Sequence, residues 1–519
     1  MLFTEYELWP QDELDIFTLS QVPEFITKGA VCDGLKYHHQ KWTHLSADMF
    51  TDCVGNIYTE EWEKRRIALA SLAMAEHTER KGRFIPDIIN GIWAICEEST
   101  WSLPDGSGYL RDIESPKFDT PTAKTAQLIA TCYNLFLREL PLAVKKRIAY
   151  EVRRRCTLTF LEAKNFSPEN TAGAFISCIF TEENEEKRRM ICDKVLELTD
   201  EFLTKFSSDG FKTKNEHNLY TWSMYIFDIL EMLYSATDNK LGVFESDKIM
   251  PIAKALYQSY LGSDGFSEKS TESGGSRIYL FGKRMDFKKL MDFGASEFLK
   301  TEDKLLSESY NLFHKLYSLK HASEILSYGD NFDAEESGYI DSMDIFIKKT
   351  KCFSVAVKGG SQSAGNLMVY LENEPYLVDL EKSHNLPIIN GFTQFANTKR
   401  AYSTQLDNGL EVDLTETYPK DAGIIKWVRK VEAEEKYVII TEDFELSKNE
   451  DIRLVMLMKN KPILSGDRII LGDGQIIWDG NMNLRVELVK SKTYGYVYRL
   501  IFHVKTEGNK GIVRLAIKM

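Results

Sequence analysis

The fold is decided by a short acidic stretch in the second half of the chain, Tyr328-Gly-Asp-Asn-Phe-Asp-Ala-Glu-Glu-Ser-Gly-Tyr-Ile-Asp-Ser342. Before it, apolar residues recur three or four positions apart, as at Ile226, Leu230 and Leu233. This spacing puts them on one face of a helix, and breaks marked by Pro or Gly separate many such segments. The part of the chain before the stretch is therefore predicted to be an array of antiparallel helix pairs.

After the stretch the apolar period shortens to two residues, as at Leu484, Val486 and Leu488. A period of two is typical of strands with one buried face, and pairs such as Asp473-Gly474 predict tight turns between strands. Short strands joined by such turns favour a large antiparallel sandwich. The predicted organisation is a helical domain over residues 1–327, a linker over 328–342 and a β domain over 343–519.

With 519 residues and a net charge of -13, the chain has the composition of a globular protein but is too long for one core. The negative charge excludes nucleic acid and anionic membrane as general partners, so an acidic ligand would need a locally basic groove. The basic runs Lys145-Lys146-Arg147 and Arg153-Arg154-Arg155 follow a helical pattern and are interpreted as a solvated helix face.

The cysteines and the N-terminus bear on the cellular compartment. Eight cysteines are scattered without a Cys-X-X-Cys pair and are interpreted as reduced core residues. The first residues, Met1-Leu-Phe-Thr-Glu-Tyr-Glu-Leu8, are acidic where a signal peptide is basic, and no run of about 18 apolar residues occurs. We therefore expect a cytoplasmic protein without membrane insertion.

Four co-linear groups of motifs resemble the heparinase II/III family of polysaccharide lyases and together cover nearly the whole chain. In order, they are residues 91–104, residues 119–130 with 147–155, residues 279–284 with 293–295, and residues 382–394 with 418–423 and 427–429. The resemblance implies an incomplete α/α toroid followed by a large antiparallel β-sandwich. It also implies an acidic polysaccharide or oligosaccharide as the partner.

The chemistry that the resemblance implies is β-elimination on a uronic-acid-containing glycan, without a required cofactor. Asn or His hydrogen bonds neutralise the carboxylate at C5, a Tyr or His removes the proton at C5, and a Tyr returns a proton to the leaving oxygen. The family also has a structural zinc in its β domain, held by His and Asp side chains.

The family's Asn-Asn-Trp run, whose amide contacts the substrate carboxylate, corresponds here to Glu169-Asn170-Thr171. Only Asn170 is kept, and a helix N-cap role is the alternative interpretation. The family's His-Asn-His-Asn-Asp motif follows a Lys-Gly-Gly, whereas here Lys358-Gly-Gly-Ser-Gln-Ser-Ala-Gly-Asn366 contains no His. This is the sharpest departure from the family pattern.

Asn218 stands where the family has its proton-transferring Tyr. Glu216, His217 and Tyr220 are chemically able neighbours, because a shift of one or two residues in the loop would present either ring. The alternative is that they are ordinary polar residues that open a helix. By the resemblance, His217 and Tyr220 are the catalytic candidates, and Glu216 is a substrate-binding candidate.

Asp379 and His384 resemble two of the three zinc ligands of the family, and the third is missing. They are the candidate ligands of a structural zinc, with a hydrogen-bonded His in a turn as the alternative. The motifs also suggest Trp101, Arg284 and Gln394 as substrate-binding residues, with core packing as the alternative for Trp101. A separate group of residues, His38, His39, Lys41, Trp42 and His44, is interpreted either as a groove entrance or as the packed start of an N-terminal helix.

Two functions remain open from the sequence. One is a lyase that has relocated its proton-transfer groups, with Asn170 as the group that neutralises the carboxylate. The other is a non-catalytic member of the same fold that keeps a groove for an acidic glycan or serves as a scaffold.

Overall fold

The structure is a computed structural model. The chain folds into two compact units. The units are Met1–Tyr257 with Ser270–Phe332, and Gln258–Lys269 with Asp333–Met519. The described residues are 17, 19, 22–51, 56–105, 118–211, 219–261, 274–301, 310–332, 336–360, 363–372, 374–380, 384–395, 401–448, 451–471, 474–491, 494–505 and 508–518.

Helices make up the first unit. Within the described residues they are α1 Glu24–Leu35, α2 Ala47–Thr51, α3 Ile57–Glu79, α4 Ile85–Cys96, α5 Thr120–Leu135, α6 Leu142–Val152, α7 Leu158–Glu162, α8 Pro168–Thr181, α9 Glu185–Leu203, α10 Leu219–Ala236, α11 Ile249–Ser259, α12 Gly275–Arg284, α13 Lys288–Thr301 and α14 Leu312–Tyr328.

Six of these helices form a closed cycle of contacts. In chain order they are α3, α5, α8, α10, α12 and α14; each contacts the next, and α14 contacts α3. The helices that alternate with them along the chain, such as α4, α9 and α13, contact members of the cycle without joining it. This is the arrangement of an α/α toroid, and we call the six members of the cycle the inner helices.

The second basic run departs from the sequence interpretation. Residues Arg153–Thr157 form one π-helical turn that continues α6, and the wider turn carries Arg155 inward. The Arg155 side chain is only 4% exposed, and its Nε donates to Glu151 at 2.7 Å. The solvated-face interpretation is therefore wrong for Arg155, because the π turn breaks the helical spacing on which it rested.

Strands make up the second unit, and all their pairings are antiparallel. Within the described residues they are β1 Glu336–Ile340, β2 Ile345–Lys349, β3 Phe353–Lys358, β4 Leu367–Leu371, β5 Glu374–Leu377, β6 Pro387–Ile389, β7 Tyr402–Leu406, β8 Gly409–Asp413, β9 Ile424–Ala433, β10 Tyr437–Leu446, β11 Ile452–Met458, β12 Ile463–Ser465, β13 Arg468–Leu471, β14 Gly474–Trp478, β15 Met482–Ser491, β16 Gly495–Val504 and β17 Lys510–Lys518.

The strands form two sheets. Within the described residues, one has the order β1-β2-β3-β4-β5-β11-β16-β15 with β6 beside β11, and the other has the order β12-β13-β14-β17-β10-β9-β8-β7. A single apolar core includes Val355 and Leu454 of the first sheet and Trp427 and Phe444 of the second. A core shared by two sheets is a sandwich. The prediction of helices followed by antiparallel sheets is therefore confirmed.

Strand β1 lies inside the stretch predicted as a linker. Its residues pair with β2 in register, from Glu336 opposite Lys349 to Ile340 opposite Ile345. The linker prediction is wrong at 336–340. This acidic segment has the composition of a loop, but its backbone N–H and C=O groups pair with those of β2. No helix in the described parts of the chain is long and apolar enough to cross a membrane.

Candidate functional site at the starts of the inner helices

The starts of several inner helices meet at one place in the helical unit. Lys124, near the start of α5, forms an ion pair with Glu169 in the first turn of α8, with 2.6 Å between Nζ and Oε1. The Lys124 ammonium also lies 5.7 Å from the ring centre of Tyr225 on α10 and 6.0 Å from that of Tyr310, just before α14. We call these four residues the mouth; Tyr220 lies in the first turn of α10, the helix that carries Tyr225.

A buried ion cluster adjoins the mouth. Oδ2 of Asp228 accepts hydrogen bonds from Nη1 of Arg277 at 2.9 Å and from Nε2 of His314 at 2.6 Å. All three side chains are at most 3% exposed. The Arg277 guanidinium lies 5.8 Å from the ring centre of Tyr225, so the cluster borders the mouth through that ring. Buried charges of this kind are stable only when paired, and a single carboxylate serves both partners here.

The helix ends at the mouth are capped by side chains. Oδ1 of Asp119 accepts from the backbone N–H of Thr122 at the start of α5, and Oδ1 of Asn311 accepts from the backbone N–H of His314 at the start of α14. The N-terminus of a helix carries partial positive charge. Two such ends lie near Lys124, whose ammonium is paired with the Glu169 carboxylate.

Asn170 lies in the first turn of α8 and takes part in a capping box. Its Oδ1 accepts from the backbone N–H of Ser167 at 3.0 Å, and Oγ of Ser167 accepts from the backbone N–H of Asn170 at 3.3 Å. The structure therefore gives Asn170 the capping contact. Because Oδ1 serves the cap, the Nδ2 group is the part of the carboxamide that is suited to donate to a carboxylate.

Tyr220 lies against the start of the next inner helix. A Cβ atom added at Gly274, the N-cap of α12, would lie 1.4 Å from the Tyr220 hydroxyl oxygen. The ring can occupy this position only because residue 274 has no side chain. Tyr220 is partly exposed. The other two candidates from the same loop, Glu216 and His217, lie outside the described residues.

Trp101 has no face available for a sugar in this structure. Its side chain is fully buried, its Nε1 donates to the backbone carbonyl of Ile95 at 2.9 Å, and the Arg155 guanidinium lies 4.8 Å from its ring centre. The interpretation as a sugar platform is wrong, because the indole packs among the helices and its polar atom is already bonded.

Arg284 and Gln394 make internal contacts where a substrate role was predicted. The Nε and Nη2 atoms of Arg284 donate to both carboxylate oxygens of Glu231 at 2.8 and 2.7 Å, and the guanidinium covers the ring of Tyr234. The Nε2 atom of Gln394 donates to the backbone carbonyl of Ala364 at 2.8 Å. Both side chains therefore have internal partners, and their substrate-binding roles stay predictions.

The two zinc candidates bond to each other. Nδ1 of His384 lies 2.6 Å from Oδ1 of Asp379, and the same oxygen accepts from the backbone N–H of Leu380 at 3.0 Å. Within the described residues, no third His, Cys, Asp or Glu joins them in a group with metal-ligand spacing. The pair fits the alternative of a hydrogen-bonded His in a turn better than a complete zinc site, and no chemical step is assigned to it.

The motifs of the β unit have a structural role. Glu442, which is fully buried, accepts from Nε of Arg429 at 2.7 Å and from Nε1 of Trp427 at 2.7 Å. Nη1 of Arg429 donates to the backbone carbonyls of Gly365 and Asn385. Asn385 in turn accepts from the backbone N–H of Leu457 at 2.7 Å through Oδ1. One buried network therefore joins the Trp427-Val-Arg429 and His384-Asn385 motifs across both sheets.

Known structures were compared with the whole chain. A solved heparinase III gene product superposes with a TM-score of 0.58 at 12% identity, covering 99% of this chain and 86% of its own. The chondroitin AC lyase of Streptomyces coelicolor A3, solved in complex with chondroitin sulphate, gives a TM-score of 0.60 at 10% identity, with 97% and 81% covered. A mutant of the heparan sulfate lyase HepC from Pedobacter heparinus gives 0.54 at 11% identity, with 96% and 83% covered.

This chain has the fold of these polysaccharide lyases. The likeness covers both the helical part and the sheets, so the toroid and the β-sandwich occur in the same order as in these neighbours. No protein-family model matches the chain, and no curated protein matches it. At this level of identity the comparison establishes the fold alone.

The sequence reasoning did not identify several residues of the mouth and its ion cluster. Lys124 lies inside the resembling stretch 119–130, and Arg277 stands two positions before the stretch 279–284. Their positions in or beside the stretches that resemble the family could have identified them as candidate site residues. The contact between Asp228 and His314 carries no such signal, because the two residues meet only after α10 and α14 close the cycle of inner helices.

Proposed function

We propose that this chain is a lyase that cleaves a uronic-acid-containing polysaccharide by β-elimination at the mouth of the helical unit. The observation that carries the proposal is that Asn170 and Tyr220, predicted from separate motifs, both lie in first turns of inner helices. Lys124 adds a cation beside these helix starts, and the partly exposed ring of Tyr310 lies next to it. An acidic sugar chain needs this combination of positive charge and ring surface.

The proposed roles follow from the donors and acceptors at the mouth. The Nδ2 group of Asn170 donates to the carboxylate at C5, which makes the proton on C5 removable. His217 or Tyr220 takes that proton, the bond from C4 to the glycosidic oxygen breaks, and Tyr220 supplies a proton to the departing oxygen. The electron pair of the C5–H bond becomes the new double bond between C4 and C5.

The test is incubation of the purified protein with heparan sulfate, chondroitin sulfate and other uronate-containing glycans. The unsaturated uronate is followed by its ultraviolet absorbance. We expect turnover by the wild type and a loss of about 100-fold or more in Tyr220→Phe, the range of a lost proton-transfer group. Tyr150→Phe is the matched control, since Tyr150 is an exposed residue of α6. Equal turnover in Tyr220→Phe and Tyr150→Phe would overturn the assignment of Tyr220.

The second candidate function is a glycan-binding protein without catalysis. The observation that favours it is the turn between β3 and β4, where Gly359 and Asn366 frame a segment without any His. This reading predicts that the same glycans bind to the wild type with no rise in ultraviolet absorbance. Binding without turnover would exclude the lyase proposal and leave the mouth as a binding site.

A further inference from the structure

Two histidines and an aspartate converge beside the start of α4. Nδ1 of His38 lies 2.7 Å from Oδ2 of Asp87, and the backbone N–H of His39 donates to the same oxygen at 3.2 Å. The two imidazole rings stack with 3.7 Å between their centres. One ligand atom from each of the three side chains lies within 4.8 Å of the others. Nitrogen and carboxylate ligands at such short range are the donor set of a zinc site.

The segment that carries the histidines is held in place by packing. The ring of Trp42 occupies the space where a Cβ atom of Gly91 would lie, at 2.3 Å from that position, so the segment is seated directly on α4. The edge of His38 also meets the ring of Phe84, with 5.0 Å between the centres. Both contacts fix the imidazole of His38 over Asp87. A preorganised pair of ligands lowers the cost of binding a metal.

His39 adopts a left-handed backbone conformation, in which its backbone N–H donates to Asp87. Its φ is +60°, in the left-handed region that residues with a side chain seldom occupy. A hydrogen-bonded pair of His38 and Asp87 needs only one imidazole. The left-handed turn brings a second, exposed imidazole onto the first, and backbone strain of this kind is concentrated at ligand sites.

We propose that His38, His39 and Asp87 bind a zinc ion, with water as the fourth ligand. Zinc bonds of about 2.0–2.2 Å in a tetrahedral arrangement separate the ligand atoms by about 3.3–3.6 Å. The stacked imidazoles of His38 and His39 must rotate apart so that one nitrogen of each ring points at the ion. The bound ion replaces the direct hydrogen bond between His38 and Asp87. It joins the segment after α1 to the start of α4.

This site is separate from the mouth. Asp87 follows the C-terminal end of α3, where Glu76 accepts from the backbone N–H groups of Gly82 and Phe84. Trp62 on the same helix instead contacts Tyr310 at the mouth. At 1.5 Å per residue, the 17 positions from Trp62 to Glu79 span about 25 Å of α3. The proposed zinc site therefore lies away from the mouth.

The test is zinc titration of the full-length protein after chelation, by calorimetry and by elemental analysis after gel filtration. We expect one tightly bound zinc in the wild type. In His39→Ala and Asp87→Asn we expect the affinity for zinc to fall by more than roughly 10- to 100-fold, which is the loss seen when a residue that only hydrogen-bonds a metal ligand is replaced. His44→Ala is the matched control, because His44 is exposed in the same segment and lies outside the group.

His384→Ala separates this site from the Asp379 and His384 pair. Zinc binding that persists in His384→Ala and is lost in His39→Ala supports the proposal. Absence of stoichiometric zinc in the wild type, or zinc that survives in His39→Ala, would overturn it. His39 is exposed, so its replacement leaves the core intact, and the circular dichroism of each variant verifies that it folds.

Discussion

Lys315 on α14 is a buried cation, and burial disfavours its charged form. It is 4% exposed, and burial lowers the pKa of its ammonium to about 8, with Asp33 only partly offsetting the effect. The pKa of Lys315 is therefore lower in the folded chain than in the unfolded chain. At a pH between these two pKa values, the unfolded chain holds a proton on Lys315 that the folded chain lacks. In that interval stability rises with pH, and below the folded pKa the full penalty is present.

Replacement of Lys315 by Met should therefore stabilise the helical unit at neutral pH. We expect the free energy of unfolding to increase by roughly 1–3 kcal/mol at pH 7, with a smaller gain as the pH rises from 8 towards 10. Denaturant titrations of wild type and variant at each pH measure the difference. Lys254→Met, an exposed position of α11, should show no such gain. A gain that is absent at neutral pH, or that does not change with pH, would contradict the role of burial.

At the level of single residues, the motifs showed which residue types stand at the matching positions, but they did not show what surrounds each side chain. Asn170 was expected either as an N-cap or as a substrate group; in the structure Ser167 is the N-cap of α8 and Asn170 is the third helical residue of its capping box. Trp101 and Arg284 were read as ligand contacts. A motif shows that a residue type occurs at a position, but burial of Trp101 and the pairing of Arg284 with Glu231 are decided by neighbours distant in sequence.

The helices and strands follow local signals where those signals are strong. Ser167-Pro168 is one of the Pro-marked breaks between helical segments, and the structure begins α8 there with a capping box. The π turn at Arg153–Thr157 has no comparable local signal. The turn lets Arg155 donate to the backbone carbonyl of Glu98, a tertiary contact 57 positions away in the sequence.

The start of α12 offers a test at the level of the element. Gly274→Ala places a methyl group where the hydroxyl of Tyr220 lies, so we expect the ring to move away from the mouth. The backbone φ of Gly274 is -108°, which any residue adopts, so the helix itself should persist. Under the lyase proposal, turnover should fall about 10-fold or more while the thermal midpoint changes by only a few degrees.

The control for that experiment is Gly480→Ala in the β unit, where a Cβ atom meets nothing within 4 Å. It should leave turnover unchanged. Full turnover in a folded Gly274→Ala protein would contradict the assignment of the Tyr220 position to the site.

For the whole molecule, the change of hydrophobic period was sufficient to predict helices followed by sheets, since each half repeats one pattern many times. The mouth could not be predicted in this way. Its residues come from four helix starts between positions 124 and 310, and only the closure of the cycle brings them together. The same closure pairs Asp228 with His314, which are 86 positions apart.

The central claim is that the mouth binds an acidic glycan, and the most direct test is the affinity of a heparan sulfate or chondroitin sulfate oligosaccharide. The Tyr220→Phe protein is the background, so that turnover does not consume the ligand. In this background Lys124→Met should weaken binding about 10-fold, the value of one lost charged contact, while Lys254→Met on α11 should not. If Lys124→Met and Lys254→Met bind the oligosaccharide with equal affinity, the claim is contradicted.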